Sequence, residues 1–356
     1  MTDTWFARAC PSPSPEHRQA AAARQQQLTK PQGALGRLET LAIELAALQA
    51  SARPQATRVP VLVFAADHGI AAQGVSAYPA EVTVQMLRNF ANGGAAIAVL
   101  ARELGLALHV WDVGSLAEAP LPGVTCAKTR RGTQDFSVAA AMTAADFDAA
   151  LDAGQRAVAV ACADGADLLV LGEMGIGNTS AASALATLLG PLPLAELVGA
   201  GTGLDAARQQ HKQALIARGV ALHGDAIAAA ADPAREALQR LGGLEIVALA
   251  AAMIAAAQRR VPVLVDGFIV SVAALAALRL NPSLRPWLLF AHHSAERGHA
   301  RVLECLQAEP LLQLQLRLGE GSGAALALPL LRLACALHND MATFAEAAVA
   351  TRSDHA

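Results

Sequence analysis

Aromatic side chains make up only 3% of the 356 residues, against 54% hydrophobic residues in all, so any core must be built from alanine, leucine and valine. That balance is expected of a helix-rich α/β protein, and the length allows one large or two ordinary domains. Cysteine is sparse and unpatterned: Cys10, Cys126, Cys162, Cys305 and Cys335 are odd in number, scattered and without a CxxC pair. This argues against structural disulfides and cysteine-bound zinc. A dominant charge is missing too. The formal net charge of -3 gives no general drive towards nucleic acid or a membrane surface, and the expected substrate is small. Met1 to Pro15 carries three prolines and no basic-then-apolar order, so it does not read as a secretory signal. The most apolar stretch, Ile246 to Ala257, is too short for a bilayer and runs into Arg259 and Arg260. A cytoplasmic enzyme is the default expectation.

What is present is concentrated in Asp167 to Leu189, DLLVLGEMGIGNTSAASALATLL. Leu168 to Leu171 reads as a buried strand, followed by a glycine-rich turn carrying Glu173 and a helix starting near Asn178. A helix N-terminus aims unpaired N–H groups and partial positive charge at such a turn, which makes it a ready anion site. Gly172 and Gly177 have the glycine spacing of a P-loop and Thr179 its hydroxyl, but Asn178 stands where the lysine belongs. A triphosphate would lack its main counter-charge there, so a monophosphate is the better expectation. A plain tight turn accounts for the glycines equally well. It does not account for Glu173, a costly charge at the end of a buried strand.

Elsewhere the pattern repeats. Glu16 to Gln49 reads as helix broken at Pro31 to Gly33, with Lys30 exposed beside the break and Met1 to Pro15 a loose lead-in. Val59 to Ala65 is strand-like and ends in Asp67-His68-Gly69, polar groups at the edge where open α/β sheets bind ligands. One long helix follows Pro79, with Val82, Met86 and Leu87 as its buried stripe and Gln85 and Tyr78 near its start. Leu106 to Val113 is a second strand, and Lys128 to Phe136 a basic loop able to attract an anion or simply to be solvated. Thr143 and Asp146 form a capping box for a helix running to Ala163. Strand, helix, strand recurs, which predicts a parallel sheet with right-handed crossovers.

In the second half, Thr202 and Asp205 have capping-box spacing for a helix from near Gly203, on which Asp205, Arg208 and Lys212 share a face. Those three form either a surface ladder or, through Lys212, a phosphate contact. Gly243 to Ala257 is an apolar helix, Val261 to Val265 a strand ending in Asp266-Gly267, and Leu288 to Ala291 a strand ending in AHHSAERGH. His292, Glu296 and His299 would share a helical face, but no second Glu-x-x-His unit and no HExxH motif accompanies them, so no metal is expected. Ser294 at a helix start is taken instead as an anion contact. Glu320 sits in LGEGSG before a helix from Ala324 to His338, and the glycines around it favour a functional carboxylate over a surface turn. The tail ATFAEAAVA reads as a short helix.

Taken together, KPQGALGRLE, DHGIAAQGVSAYPAEVTVQM, GEMGIGNTSAAS, GTGLD, DGFIVS, HHSAERGH and LGEGSGAAL resemble, in order, the nicotinate-nucleotide:dimethylbenzimidazole phosphoribosyltransferases of cobalamin biosynthesis. The resemblance runs from Lys30 to Phe344. It implies transfer of phosphoribose from nicotinate mononucleotide to 5,6-dimethylbenzimidazole, without a cofactor. It also implies a homodimer, a Rossmann-like α/β domain over residues 56–338, and a small helical domain from residues 1–55 and 339–356. By motif, Glu320 matches the catalytic base and Glu173 the acid at the floor of the site, while Gly175, Gly177, Asn178 and Thr179 match the nucleotide turn. Lys212 and Ser294 match phosphate contacts, Asp266 lies towards the nicotinate, and Gln85 lines the benzimidazole pocket, with Tyr78 close by. Ala34, Ser180, Ser183 and Ala200 depart from the family pattern. Two other readings stay open on the residues alone, a P-loop-like nucleotide kinase or NTPase and a non-catalytic nucleotide or azole sensor.

Overall fold

The computed structural model describes residues 4–199, 203 and 205–350. Six strands form one parallel sheet: β1 (Val61–Ala66), β2 (Leu108–Gly114), β3 (Thr125–Cys126), β4 (Leu169–Met174), β5 (Val263–Val265) and β6 (Leu288–Phe290). Their spatial order is β3-β2-β1-β4-β5-β6, the doubly wound order whose connections reverse direction between β1 and β4. Ligands of such sheets bind beyond the carboxyl ends of the strands, close to that reversal.

Helices α1 (Pro15–Gln27) and α2 (Arg37–Gln49) precede the sheet, α3 (Glu81–Ala91) and α4 (Ala96–Leu104) link β1 to β2, and α5 (Ala144–Ala161) leads into β4. Between β4 and β5 lie α6 (Asn178–Leu189), α7 (Leu194–Leu197), α8 (Ala206–Ala228), α9 (Pro233–Leu241) and α10 (Leu244–Gln258). After β5 come α11 (Phe268–Leu280), then α12 (His299–Cys305) and α13 (Ser322–Asp340).

The strands alternate cleanly between two cores, as a pleat buried on both faces requires. Leu62, Phe64 and Ala66 of β1 join Leu169, Leu171, Val263 and Val265 beneath α5, α6, α10 and α11. Val61, Val63 and Ala65 join Val170 and Leu264 beneath α3, α4 and α13. The shortage of rings is resolved by close helix contact. From Leu244 to Ala257 every residue of α10 is buried, and a Cβ at Gly154 of α5 would overlap the Ala248 carbonyl. Small residues let those backbones meet, so alanine fills the space that aromatics fill elsewhere.

Several sequence expectations are corrected. The lead-in is pinned rather than loose: Trp5 and Phe6 are buried, Asn281 Nδ2 donates to the Phe6 carbonyl and Trp287 Nε1 to that of Pro11. Lys30 is not exposed, its side chain being 6% accessible and 2.8 Å from Glu39. The single helix after Pro79 is two, broken at Asn92 to Ala95 where Gly93 takes a positive φ, and the fully buried residues of the first are Thr83, Leu87 and Phe90. The tail is turns instead of helix, because Thr343 bridges Leu28 and the Phe344 N–H bonds the Gln27 carbonyl. The capping box at Thr143 forms as expected. Thr202 and Ala200 lie outside the described residues, and Asp205 itself caps α8 by accepting from the Arg208 N–H. The basic loop is committed internally, with Lys128 on Asp112 and Arg130 on Asp146.

Candidate active site

Glu173 lies within β4 rather than in the turn after it, in register with Phe64 of β1. Burial pushes its carboxyl up to about 8, helped by the charges of Glu245, Asp266 and Glu320 and opposed by a hydrogen bond donated from Asn178 Nδ2 to its Oε2. The turn is tight by necessity. A Cβ at Gly175 would overlap the Ala66 carbonyl, and Gly177 caps α6 at φ +99°, where a side chain is strained. The cation missing from position 178 arrives from α8: buried Lys212 donates from Nζ to Thr179 Oγ1 at 2.7 Å. Desolvation lowers its ammonium to about 8, with nearby Glu296 pulling the other way.

The second carboxylate arrives from the turn before α13. Glu320 is buried at φ +65°, a left-handed conformation costly for a residue with a side chain. A Cβ at Gly172 would overlap the Glu320 carbonyl, and one at Gly319 would overlap Glu173 Oε1. Glycines on both sides therefore let the two segments touch. Glu320 Oε2 accepts from the Ile97 N–H at 3.2 Å, at the start of α4. Burial raises the Glu320 carboxyl and the Asp266 charge adds to this, while the amides of Ile97 and Ala96 resist it. Asp266 holds the turn in place, accepting from the Ala324 N–H at 2.8 Å and the Gly321 N–H at 3.2 Å.

Between these elements opens a cavity of about 320 Å³. Tyr78, Glu173, Gly175, Asn178, Thr179, Asp266 and Ser294, all singled out from sequence, line it together with Phe268, His292, Glu296 and Arg317. Gly177 shapes the turn from behind, Lys212 touches it through Thr179, and Glu320 stands next to its Gly319 wall. Gln85 is exposed on α3 and is not brought to this cavity. Ser294 does not start a helix, since α12 begins at His299, and His292, Glu296 and His299 share no helical face. His299 is pushed down to about 3 by desolvation and the neighbouring histidines, so its neutral Nδ1 accepts the Ser294 N–H while Nε2 faces Ser271 Oγ. Among the described residues no group of three or more His, Cys, Asp or Glu is placed to hold a metal ion, and no helix is long and apolar enough to cross a membrane.

Sequence reasoning missed Glu245, whose carboxylate lies 2.6 Å from His68 Nε2 behind the turn. Its one signal was an acid at the head of an otherwise apolar helix. The α4 N-terminus as the partner of Glu320 has no local signal, because the stretch between α3 and α4 reads as continuous helix.

A doubly wound sheet gathers buried acids and a buried lysine beyond its carboxyl edge, and a family model described as phosphoribosyltransferase matches residues 10–349, which places the chain among the phosphoribosyltransferases. The chain is 62% identical over 352 residues to the nicotinate-nucleotide–dimethylbenzimidazole phosphoribosyltransferase of Bradyrhizobium sp. (strain ORS 278), covering 99% of each. It is 58% identical over 353 residues to the protein of the same name from Pseudomonas aeruginosa (strain UCBPP-PA14), again covering 99% of each. A crystal structure of the nicotinate-nucleotide–dimethylbenzimidazole phosphoribosyltransferase from Thermus thermophilus superposes with a TM-score of 0.89 at 44% identity, over 95% of this chain and 100% of that one. The chain belongs to the nicotinate-nucleotide–dimethylbenzimidazole phosphoribosyltransferase family.

Proposed function

We propose that this protein transfers the 5-phosphoribosyl group of nicotinate mononucleotide to 5,6-dimethylbenzimidazole, giving α-ribazole 5′-phosphate and nicotinate for cobalamin assembly. The observation that carries the assignment of roles is the close approach of β4, with Glu173, to the Glu320 turn across Gly172 and Gly319, at a cavity that Glu173 and Gly319 line. The leaving group is a pyridinium, so the electron pair of the breaking C1′–N bond neutralises the nicotinate ring nitrogen. No proton has to be delivered to it. One ring nitrogen of the acceptor attacks C1′, and the proton on the other must be removed. Glu320, whose carboxyl burial makes more basic than an ordinary carboxylate, is the base for that proton. Glu173 at the cavity floor donates a hydrogen bond to the ribose while protonated, and once ionised stabilises positive charge developing at C1′. Lys212, Thr179 and Ser294 hold the 5′-phosphate, and binding energy remote from the reacting bond is used to position it.

Incubation with both substrates should release nicotinate and form the α-ribotide. Absence of transfer to every benzimidazole or purine acceptor would refute the reading, and magnesium-dependent ATP hydrolysis would revive a kinase or NTPase. Glu320→Gln should bind both substrates within a few-fold of wild type and lose about 10²–10⁴ in kcat. Wild-type turnover in that variant removes its role as base.

The unit expected from residues 1–55 and 339–356 is supported by the packing of α1 on α2, with Arg24 holding the carbonyl of Met341 and Thr343 bridging Leu28, though the tail joins it as turns rather than helix. A homodimer is the assembly that the family resemblance implies, and sedimentation tests it. Cytoplasmic residence accords with a small-molecule biosynthetic role.

A further inference from the structure

One buried ionisable pair has no part in that chemistry. His68 follows β1 and Glu245 lies in the first turn of α10; their side chains are 1% and 0% exposed, with Nε2 and Oε1 2.6 Å apart. His68 Nδ1 and Glu245 Oε2 are buried with no hydrogen-bond partner. A pair kept for stability alone should satisfy all its polar atoms, since each orphan carries its full desolvation cost. A pair buried this completely is a candidate for a role beyond stability.

Its placement supplies the reason. A Cβ at Gly175 would lie 3.4 Å from His68 Cδ2, one at Gly177 3.1 Å from His68 Cβ, and one at Gly243 would overlap both the ring and the carboxylate. Three glycines thus leave the space that the pair fills, and the nucleotide turn rests on the imidazole. Glu173 stands at the front of the same turn. Around these groups lie Asp67 from the end of β1, Asp266 after β5 with His292 beside it, and Glu320 before α13. Of the charges acting on Glu173, that of Glu245 is the largest, second only to burial.

We propose that His68 and Glu245 are positioning residues for Glu173: the pair fills the space left by Gly175, Gly177 and Gly243, seats the turn and places an acidic side chain behind Glu173. This rests on the proposed role of Glu173.

The test is an infrared titration of carboxyl C=O bands in the full-length, ligand-free protein, the Glu173 band being identified by its loss in Glu173→Gln. In wild type this band should persist well above pH 4.5, and Glu245→Gln should move its titration down by about one pH unit or more, with the Glu173 limb of the kcat profile moving alike. An unmoved band in folded Glu245→Gln overturns the proposal. If that variant does not fold, the double replacement His68→Phe with Glu245→Leu removes the same charge and is held to the same shift. A wild-type band titrating in the ordinary carboxylate range overturns the proposal by itself. The infrared measurement needs no turnover, so a failure of phosphoribosyl transfer in wild type would refute the proposed function separately.

Discussion

Lysine occurs at three positions only, and none of the three is exposed. Lys30 faces Glu39, and Lys128 faces Asp112 and the carbonyls of Ser115 and Ala117, which leaves both committed within the fold. Lys212 differs, because the group it bonds at 2.7 Å is a neutral hydroxyl, Thr179, at the edge of the cavity. An ammonium desolvated in this way, with its pKa lowered to about 8, gains most from an anion that arrives with the substrate. Lys212→Ala should therefore raise KM for nicotinate mononucleotide about tenfold or more, one charge-assisted hydrogen bond being worth ~1.5–3 kcal/mol. KM for the acceptor should stay nearly constant. Steady-state kinetics with each substrate varied checks this, and an unchanged nucleotide KM would remove the phosphate assignment. The spacing with Asp205 and Arg208 placed these residues on one helical face, yet Asp205 and Arg208 are exposed and Lys212 is buried. Only packing decides which part of a face turns inward.

At the scale of elements, the site is a seam between β4 and the turn that opens α13. Gly172 was legible as part of a phosphate-loop spacing, but its structural duty is to admit the backbone of Glu320, which no local pattern reveals. Gly172→Ala should destabilise the protein by about 2–3 kcal/mol through overpacking and should separate the two carboxyls, lowering turnover even where the variant stays folded. Urea unfolding and kcat measured together test this. A stable and fully active Gly172→Ala protein would show that the seam can yield. The same seam accounts for the left-handed Glu320: Asp266 fixes the amides of Gly321 and Ala324, and Ile97 holds the side chain, so the surroundings over-determine a conformation the residue would not choose.

For the whole molecule, the clustering of buried ionisable groups predicts how stability varies with pH. Glu173 loses its proton at about 8 in the fold and near 4.5 in the unfolded chain, so over that range the native state binds more protons. Its contribution is full below about 4.5 and is lost as pH rises through 8. His299, lowered to about 3 from 6.5, acts in the opposite sense below 6.5, and Lys212 restores stability only between about 8 and 10.5. From pH 6.5 to 8 the ligand-free Tm should consequently fall, and Glu173→Gln should flatten that fall. Equal slopes in the two proteins would contradict the raised carboxyl. Within this molecule, the α/β class, the main strands, the α6 start at Asn178 and the cap at Thr143 were determined by sequence, because hydrophobic period, glycine breaks and capping act over a few residues. The sequence motifs also named most of the cavity's lining. Tertiary structure alone decided that Lys212 supplies the charge missing at Asn178, that Asp266 caps α13, that Gln85 stays outside the cavity and that His68 meets Glu245 behind the turn. Those contacts join segments far apart in the chain, and they exist only where strand order and the crossing of buried helices bring the carboxyl ends of β1, β4 and β5 together.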